Sequence, residues 1–432
     1  MVRLAASFRF RSVSVVSAVL AAVLVLQGTA TAASGGLDTT FSGDGQQFVN
    51  FGGADDFGYA VAFQSARIVE AGITGAGVHE DLGLTRLTAR GRVDTTFGRN
   101  GRVRTDVAGN SDEMSGGLAI LQSGKILVAG DSRMPSGQEK IAVVRYRPNG
   151  RIDRTFGGGD GRAFASYGSQ NAFGYDVVVQ SDGKFVVVGE SDSSPTSSSF
   201  LLVRFRANGG IDKTFGRNGF VRTRFGAGFS AAYRVAATPG GKFVVCGWTQ
   251  AKDKSFDTAV ARYRPRGRLD STFSGDGKVI TRLSSTGDDY CNDLALRSGG
   301  RAFLGDYLKH GTNQNMAFIQ YRSDGTLDPG FSGNGKLILD FGGPDHVSAV
   351  ALQQDGKILA AGAAGSSTFA VVRLRPAGRL DSSFGSGGVA TAPLRGSGGF
   401  AYDVAVQPDT KIVVAGEAAD GSHDFAVARF RR

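Results

Sequence analysis

The sequence predicts an all-β fold, a seven-bladed β-propeller of four-stranded blades whose ring is closed by the N-terminal strand joining the last blade. Three observations predict it. A motif recurs seven times at intervals of 53 to 59 residues, a Gly-rich turn follows every copy, and the intervals carry a β-hairpin with no helical periodicity.

The motif is a hydrophobic residue, then Asp, then Phe three residues later. Its copies are Asp38 and Phe41, Asp94 and Phe97, Asp153 and Phe156, Asp212 and Phe215, Asp270 and Phe273, Asp328 and Phe331, and Asp381 and Phe384. The turn that follows is Asx-Gly at Asp44-Gly45, Asn100-Gly101, Asp160-Gly161, Asn218-Gly219, Asp276-Gly277 and Asn334-Gly335, and Gly387-Gly388 in the last copy. Such pairs tolerate the positive φ of tight turns. A short strand comes next, as in Lys278 to Thr281. The hairpin is clearest in Asp176 to Gly189 and Asp403 to Gly416, two β-rich runs around a turn. A third strand ends the unit, as in Ile141 to Tyr146 and Phe425 to Phe430.

Both faces of these strands are apolar or small, as in sheets covered on two sides. Radial stacking around a channel hides both faces and limits open edges, which is the propeller solution. An open β-solenoid is the competing architecture, and its turns are shorter than this repeat. The chain ends favour closure. The last unit stops after its third strand, and the segment Gln47 to Phe51 near the start supplies the missing outer strand.

The first residues read differently. Arg3, Arg9 and Arg11 precede an apolar run from Val13 to Leu26 and then small residues ending Ala32-Ala33, the three regions of a secretory signal peptide. The run is shorter than the roughly 20 residues a bilayer span needs. The expected organisation is therefore a signal peptide over 1–33 and a seven-repeat propeller over 34–432, secreted or associated with the cell surface. With 65 Gly, only 10 Pro and 41% hydrophobic residues, the chain is a folded, turn-rich one. Loss of the three leader arginines takes the formal charge from +10 to +7, spread along the repeats without a dense run. A solvated basic surface accounts for this excess, and anionic surfaces or polymers are the alternative it leaves open. No nucleic-acid motif accompanies it. Cys246 and Cys291, the only two cysteines, are read either as a disulfide or as a pair of small buried hydrophobes.

The combination of Leu-Asp, Phe-Gly, Asx-Gly, Gln-x-Asp-Gly-Lys-Ile-x-Val-x-Gly and Phe-x-Val-x-Arg-Tyr resembles the delta-60 repeat family of bacterial proteins, over Leu37 to Phe430. The resemblance implies a propeller-like domain in exported or surface proteins and assigns no catalytic or binding residue.

Residues present in every unit do a job needed in every blade. The repeated Phe is expected to fill gaps between blades. The repeated Asp is expected to pair with a third-strand arginine, present as Arg86, Arg145, Arg204, Arg262, Arg373 and Arg429 and replaced by Gln320. The acidic Gly-rich turns supply one carboxylate each, too few for calcium. The histidines form no metal motif, no nucleophile elbow occurs, and no catalytic residue, metal site or cofactor is expected. An asymmetric site must break the repeat. At the start of the first hairpin strand the units read Tyr59-Ala60, Gly116-Gly117, Tyr175-Asp176, Tyr233-Arg234, Asn292-Asp293, Ser348-Ala349 and Tyr402-Asp403. The candidate ligand-binding residues are accordingly Tyr175, Asp176, Tyr233, Arg234, Asp293, Tyr402 and Asp403, against the plainer reading that Tyr and Asp cap strand ends. The expected function is a non-enzymatic extracellular binding or interaction scaffold, a monomer with an unknown protein or carbohydrate ligand, without nucleic acid and without a membrane span after signal cleavage. The alternatives are a metal-dependent propeller hydrolase or lactonase using Asp176, Asp293, Asp403 and Asn292 at the channel mouth, and a structural surface repeat with no ligand.

Overall fold

The computed structural model describes residues 34–76, 80–109, 113–285, 287–396 and 398–432. The signal peptide expected over 1–33 and His79 lie outside the described residues.

Seven antiparallel sheets of four strands each make seven blades. Their innermost strands are Asp55–Gln64, Glu113–Ile120, Ala172–Val179, Ser230–Ala237, Asp288–Arg297, His346–Leu352 and Gly398–Val406, which define blades 1 to 7. Each inner strand neighbours the next, and the seventh neighbours the first, so the ring is closed. In blades 1 to 6 the strands follow chain order outward. In blade 7 the outer strand is Gln46–Val49, which pairs with Ser422–Phe430 in the register Gln46 to Ala428 through Val49 to Phe425. The expected closure is therefore present, reinforced by the Asp38 amide donating to the Arg429 carbonyl at 2.8 Å. Among the described residues no helix is long and apolar enough to cross a membrane.

Seven apolar clusters lie between successive blades, and each contains one repeat Phe. Phe97 packs with Leu84 of blade 1 and Val128 of blade 2, and Phe41 closes the cluster of blades 7 and 1. All seven are at most 1% exposed. Full burial of one such ring contributes about 1.5 to 3 kcal/mol, so the repeat places its largest apolar contribution at every seam.

The repeat Asp does what its spacing predicts. Arg86, Arg145, Arg204, Arg262, Arg373 and Arg429 lie 2.8 to 2.9 Å from Asp94, Asp153, Asp212, Asp270, Asp381 and Asp38. Each of these guanidinium groups also stacks over its Phe, at 4.4 to 4.9 Å. The hairpin cation is a partner the sequence reading left out. Arg67, Lys125, Lys184, Lys242, Lys357 and Lys411 reach the same six carboxylates, and Arg301 reaches Asp328, all within 3.7 Å. The guanidinium then crosses to the next blade, donating for example from Arg86 to the Pro148 carbonyl at 2.6 Å and from Arg204 to the Pro265 carbonyl at 2.7 Å.

Blade 5, the exception, makes the same latch by exchanging residues. In blade 1 Arg86 on the third strand donates to Gln64 on the first. In blade 5 Gln320 is on the third strand and Arg297 on the first. Gln320 donates to Asp328 at 2.7 Å, and Arg297 donates both to Gln320 and to the Pro376 carbonyl of blade 6, the latter at 2.9 Å.

Candidate functional site

Every inner strand carries a β-bulge, and the residue left unpaired by it is Tyr59, Gly116, Tyr175, Tyr233, Asn292, Ser348 or Tyr402. The residues assigned to the start of the strand are thus the bulged pairs inside it. This corrects the strand-end reading. In six blades a glycine faces the residue before the bulge, and a Cβ on Gly189 would sit 1.9 Å from the Phe173 carbonyl oxygen, and one on Gly416 equally close to that of Phe400, whereas in blade 5 Asp306 holds this place. A residue without a side chain lets the partner strand approach this closely.

The three bulge aspartates share one arrangement. Asp176 accepts from the Val177 amide at 2.7 Å and from the Val235 amide of blade 4 at 2.9 Å. Asp293 accepts from Leu294 and from Val350 of blade 6, at 2.8 and 2.6 Å. Asp403 accepts from Val404 and from Val61 of blade 1, both at 2.7 Å. Each carboxylate therefore clips its inner strand to the next blade. These groups do not cap strand ends, and replacing them is not neutral for stability.

The clips share the field of one cation. Arg234, on the blade 4 bulge, lies 3.4 Å from Asp293. Burial lowers the affinity of Arg234 for its proton, but the fields of Asp293, Asp176 and Asp403 outweigh this and raise it. Burial raises Asp176 to about 6 against Arg234 and the Val235 and Val177 amides, and raises Asp403 to about 7 against the Val61 amide. Asp293 is raised by burial too, partly offset by Arg234. All four side chains are half-buried, so water reaches them while protein walls surround them. A disulfide fixes this place. Cys246, paired opposite Arg234, is bonded to Cys291, two residues before Asp293, with Cα atoms 6.0 Å apart. The bridge ties blade 4 to blade 5, and of the two readings of these cysteines the disulfide is the one present.

The tyrosines among the candidate residues pair across seams. Tyr175 and Tyr233 stack at 4.9 Å, and Tyr402 meets Tyr59 edge-on at 5.1 Å. The Tyr175 hydroxyl donates to Glu190 at 2.9 Å, and the Tyr402 hydroxyl to Glu417 at 3.4 Å. Two residues before the bulge, at the end of the inner strand where the chain enters from the previous blade, stand Phe57, Tyr290, His346 and Phe400. Together with Trp248, Tyr307 and His423 they extend the tyrosines into an aromatic belt through blades 4, 5, 6, 7 and 1, each step 5.1 to 6.4 Å between ring centroids. Burial lowers His346 to about 4, so it is neutral at pH 7. Sequence reasoning missed this belt. The legible signal was an aromatic residue two positions before a bulge, on the same face of the strand.

The arrangement therefore joins an aromatic mouth to a floor of three carboxylates and one guanidinium. Among the described residues no three His, Cys, Asp or Glu groups are gathered to hold a metal ion. The hydrolase reading required such convergence of Asp176, Asp293 and Asp403, and Asn292 instead donates to the Val347 carbonyl at 2.7 Å. In the acidic Gly-rich turns, Asp44 and Asp276 accept the backbone amides of Gln46 and Lys278, as hairpin turns do.

Five segments, 121–156, 180–215, 239–273, 353–384 and 407–432, match the family model described as a domain of unknown function (DUF5122) beta-propeller. The first four run from the inner hairpin turn to the repeat Phe. The blades left unmatched include blade 5, where Arg and Gln are exchanged. No curated protein matches the sequence. Among solved structures, a protein of unknown function from Dyadobacter fermentans is 10% identical, with 89% of this chain and 97% of that chain covered and a TM-score of 0.48. The polysaccharide lyase Uly1 is 10% identical over 87% and 90%, with a TM-score of 0.47. A glucose dehydrogenase is 12% identical over 73% and 96%, with a TM-score of 0.43. At these identities and scores the likenesses say nothing about activity.

Proposed function

We propose that this chain is a non-enzymatic binding module acting outside the cell, and that its ligand enters the channel by the aromatic mouth and presents a cationic group to Asp176, Asp293 and Asp403. The observation that carries the reading is three half-buried carboxylates that share a single guanidinium, Arg234, which touches Asp293 and lies in the fields of Asp176 and Asp403. Each carboxylate oxygen accepts one backbone amide and keeps a lone pair for a further donor. Aromatic faces above such a floor favour organic cations, by cation–π attraction as well as by area. A cation bound there pulls protons off Asp176 and Asp403, whose affinity for them burial has raised.

Calorimetry with choline, arginine and spermidine, and with glucose and galacturonate as neutral and anionic controls, tests this. At least one cation is expected to bind, more tightly at pH 8 than at pH 5, and to bind Asp403→Asn at least tenfold more weakly. Equal binding of the neutral or anionic controls would overturn the reading, as would cation binding unchanged in a D176N/D293N/D403N protein that still melts cooperatively.

A further inference from the structure

The sequence spreads its cations along the chain at repeat intervals, but the up-and-down order of strands in every blade gathers them. Turns between first and second strands, and connections between third and fourth strands, emerge on one face of the ring. Turns between second and third strands, and passages from one blade to the next, emerge on the other. The aromatic mouth opens on this second face.

The first face receives a solvent-exposed arginine directly after the third strand in blades 2 to 6, as at Arg147 and Arg206, and a second one after the turn glycine at Arg92, Arg151, Arg268 and Arg379. The last four have no ion-pair partner among the described residues. The nearby repeat carboxylates already hold a hairpin cation and, except in blade 5, a third-strand arginine, and Asp270, Asp328 and Asp381 also hold the arginine directly after the third strand, Arg264, Arg322 and Arg375. The second face is different. There Arg282 is paired with Asp257 at 2.8 Å and Asp253 at 2.9 Å, Arg395 with Asp424, and Arg104 with Asp81. Exposed guanidinium groups without an ion pair thus recur round the first face, at Arg92, Arg151, Arg268 and Arg379, whereas on the second face Arg224 is the exposed arginine without one among the described residues.

We infer that this arginine ring is a docking surface for a linear anionic polysaccharide bearing carboxylate or sulfate groups. Arginine stands at each of these four turn positions, and its planar fork pairs with such groups through two parallel hydrogen bonds. Two other polyanions fit less well. Single-stranded nucleic acid needs exposed aromatic rings on which bases stack. An interfacial membrane site needs apolar side chains that enter the lipid. Among the described residues the exposed large hydrophobic side chains are Ile280 and Ile338, both on outer strands. The inference is independent of the channel reading, since it concerns the opposite face and different residues.

The test uses the full chain and three probes at several NaCl concentrations: polygalacturonate, single-stranded DNA and phosphatidylglycerol vesicles. Wild type is expected to bind polygalacturonate with an affinity that falls steeply with salt, as counterions are released. R92Q/R151Q/R268Q/R379Q is expected to lose at least tenfold with its melting temperature unchanged, all four side chains being exposed. R224Q/K252Q/K254Q/K309Q removes the same charge from the second face and is expected to change binding less than twofold. Equal losses in the two variants would reduce the effect to net charge and overturn the assignment. It also falls if no polysaccharide binding is seen at low salt, or if DNA or vesicles bind as tightly as polygalacturonate.

Discussion

Two sets of aspartates hold the blades together, and they do so by opposite electrostatics. In the repeat set, burial pushes the Asp38 carboxyl up, but hydrogen bonds from Thr40 and the charges of Arg429 and Lys411 outweigh it and hold it at about 2. In the channel set, burial wins, and Asp403 rises to about 7 with only backbone amides and one distant, shared arginine to oppose it. Both are seams between blades. A carboxylate with two cations of its own has spent its interactions on the fold. One that clips two strands beside a shared guanidinium has capacity left for a ligand. Repetition marks the first kind, and its interruption marks the second.

The largest effect expected from this contrast is on the repeat set. Asp270→Ala leaves Arg262 buried without its partner and should cost about 3 to 5 kcal/mol in chemical denaturation. Asp403→Asn, whose amide nitrogen cannot accept the backbone amide that one carboxylate oxygen takes, should cost less, about 1 to 3 kcal/mol at pH 5. A smaller loss for Asp270 than for Asp403 would reverse the assignment of structural weight. Blade 5 sharpens the point. Arg297→Gln alone should destabilise by an amount comparable to loss of a third-strand arginine elsewhere, whereas R297Q/Q320R restores the arrangement of blade 1 and should return to within about 1 kcal/mol of wild type. If the double variant is no better than R297Q, the exchange is coincidental.

The disulfide lies where the second set meets the framework, so its removal should act on the channel more than on the latches. Cys246 and Cys291 are 45 residues apart, a loop whose cross-link contributes about 2 to 4 kcal/mol through the unfolded state. C246A/C291A should lose about that much, since Ala129 and Ala415 occupy the position of Cys246 in other blades without difficulty. Cation binding should weaken as well, because Arg234 and Asp293 are then held by two blades free to shift. Retained stability with unaltered binding would show that the bridge fixes nothing of consequence.

Much of this was legible in the sequence, for a physical reason. Seven copies of one unit must solve the same packing problem seven times, so Asp212, Phe215 and Arg204 announce their roles by recurrence, and the short last unit announced that Gln47 to Phe51 would complete it. The site was legible only in part. Arg234 touches Asp293 and lies in the fields of Asp176 and Asp403, while the three carboxylates are not gathered as a metal site would need. Their backbone partners were not legible, because a β-bulge depends on how closely two strands approach, and no local pattern in the sequence reports that distance. The Lys–Asp half of each latch was hidden likewise, since Lys242 and Asp270 are brought together across the blade and share no local pattern. The charge polarity of the ring was invisible for the same reason, each arginine turn being unremarkable until strand order sets all of them on one face.

The smallest effect, and the one that separates the two sets most cleanly, is on the pH dependence of stability. The repeat carboxylates have folded-state pKa values below the roughly 3.8 of the unfolded chain, Asp38 at about 2, so their contribution is complete above about pH 4 and is lost as pH falls towards 2. For the channel carboxylates the sign is opposite. Asp176 at about 6 and Asp403 at about 7 bind protons more readily when folded, so their favourable contribution is complete below about pH 4 and is lost as pH rises through 6 to 7. The melting temperature should therefore peak near pH 4 to 5, with an acid limb belonging to the latches and a neutral limb to which the channel contributes. D176N/D403N should flatten the neutral limb and leave the acid limb alone, because an amide does not titrate. Asp38→Asn should reduce the acid limb at the cost of overall stability. A saturating cation in the channel should mimic the first variant, by stabilising the ionised carboxylates that otherwise weaken the fold above pH 6. A neutral limb unchanged in D176N/D403N would mean that the channel carboxylates titrate alike in the folded and unfolded chain, and the argument for a cation drawing protons from them would go with it.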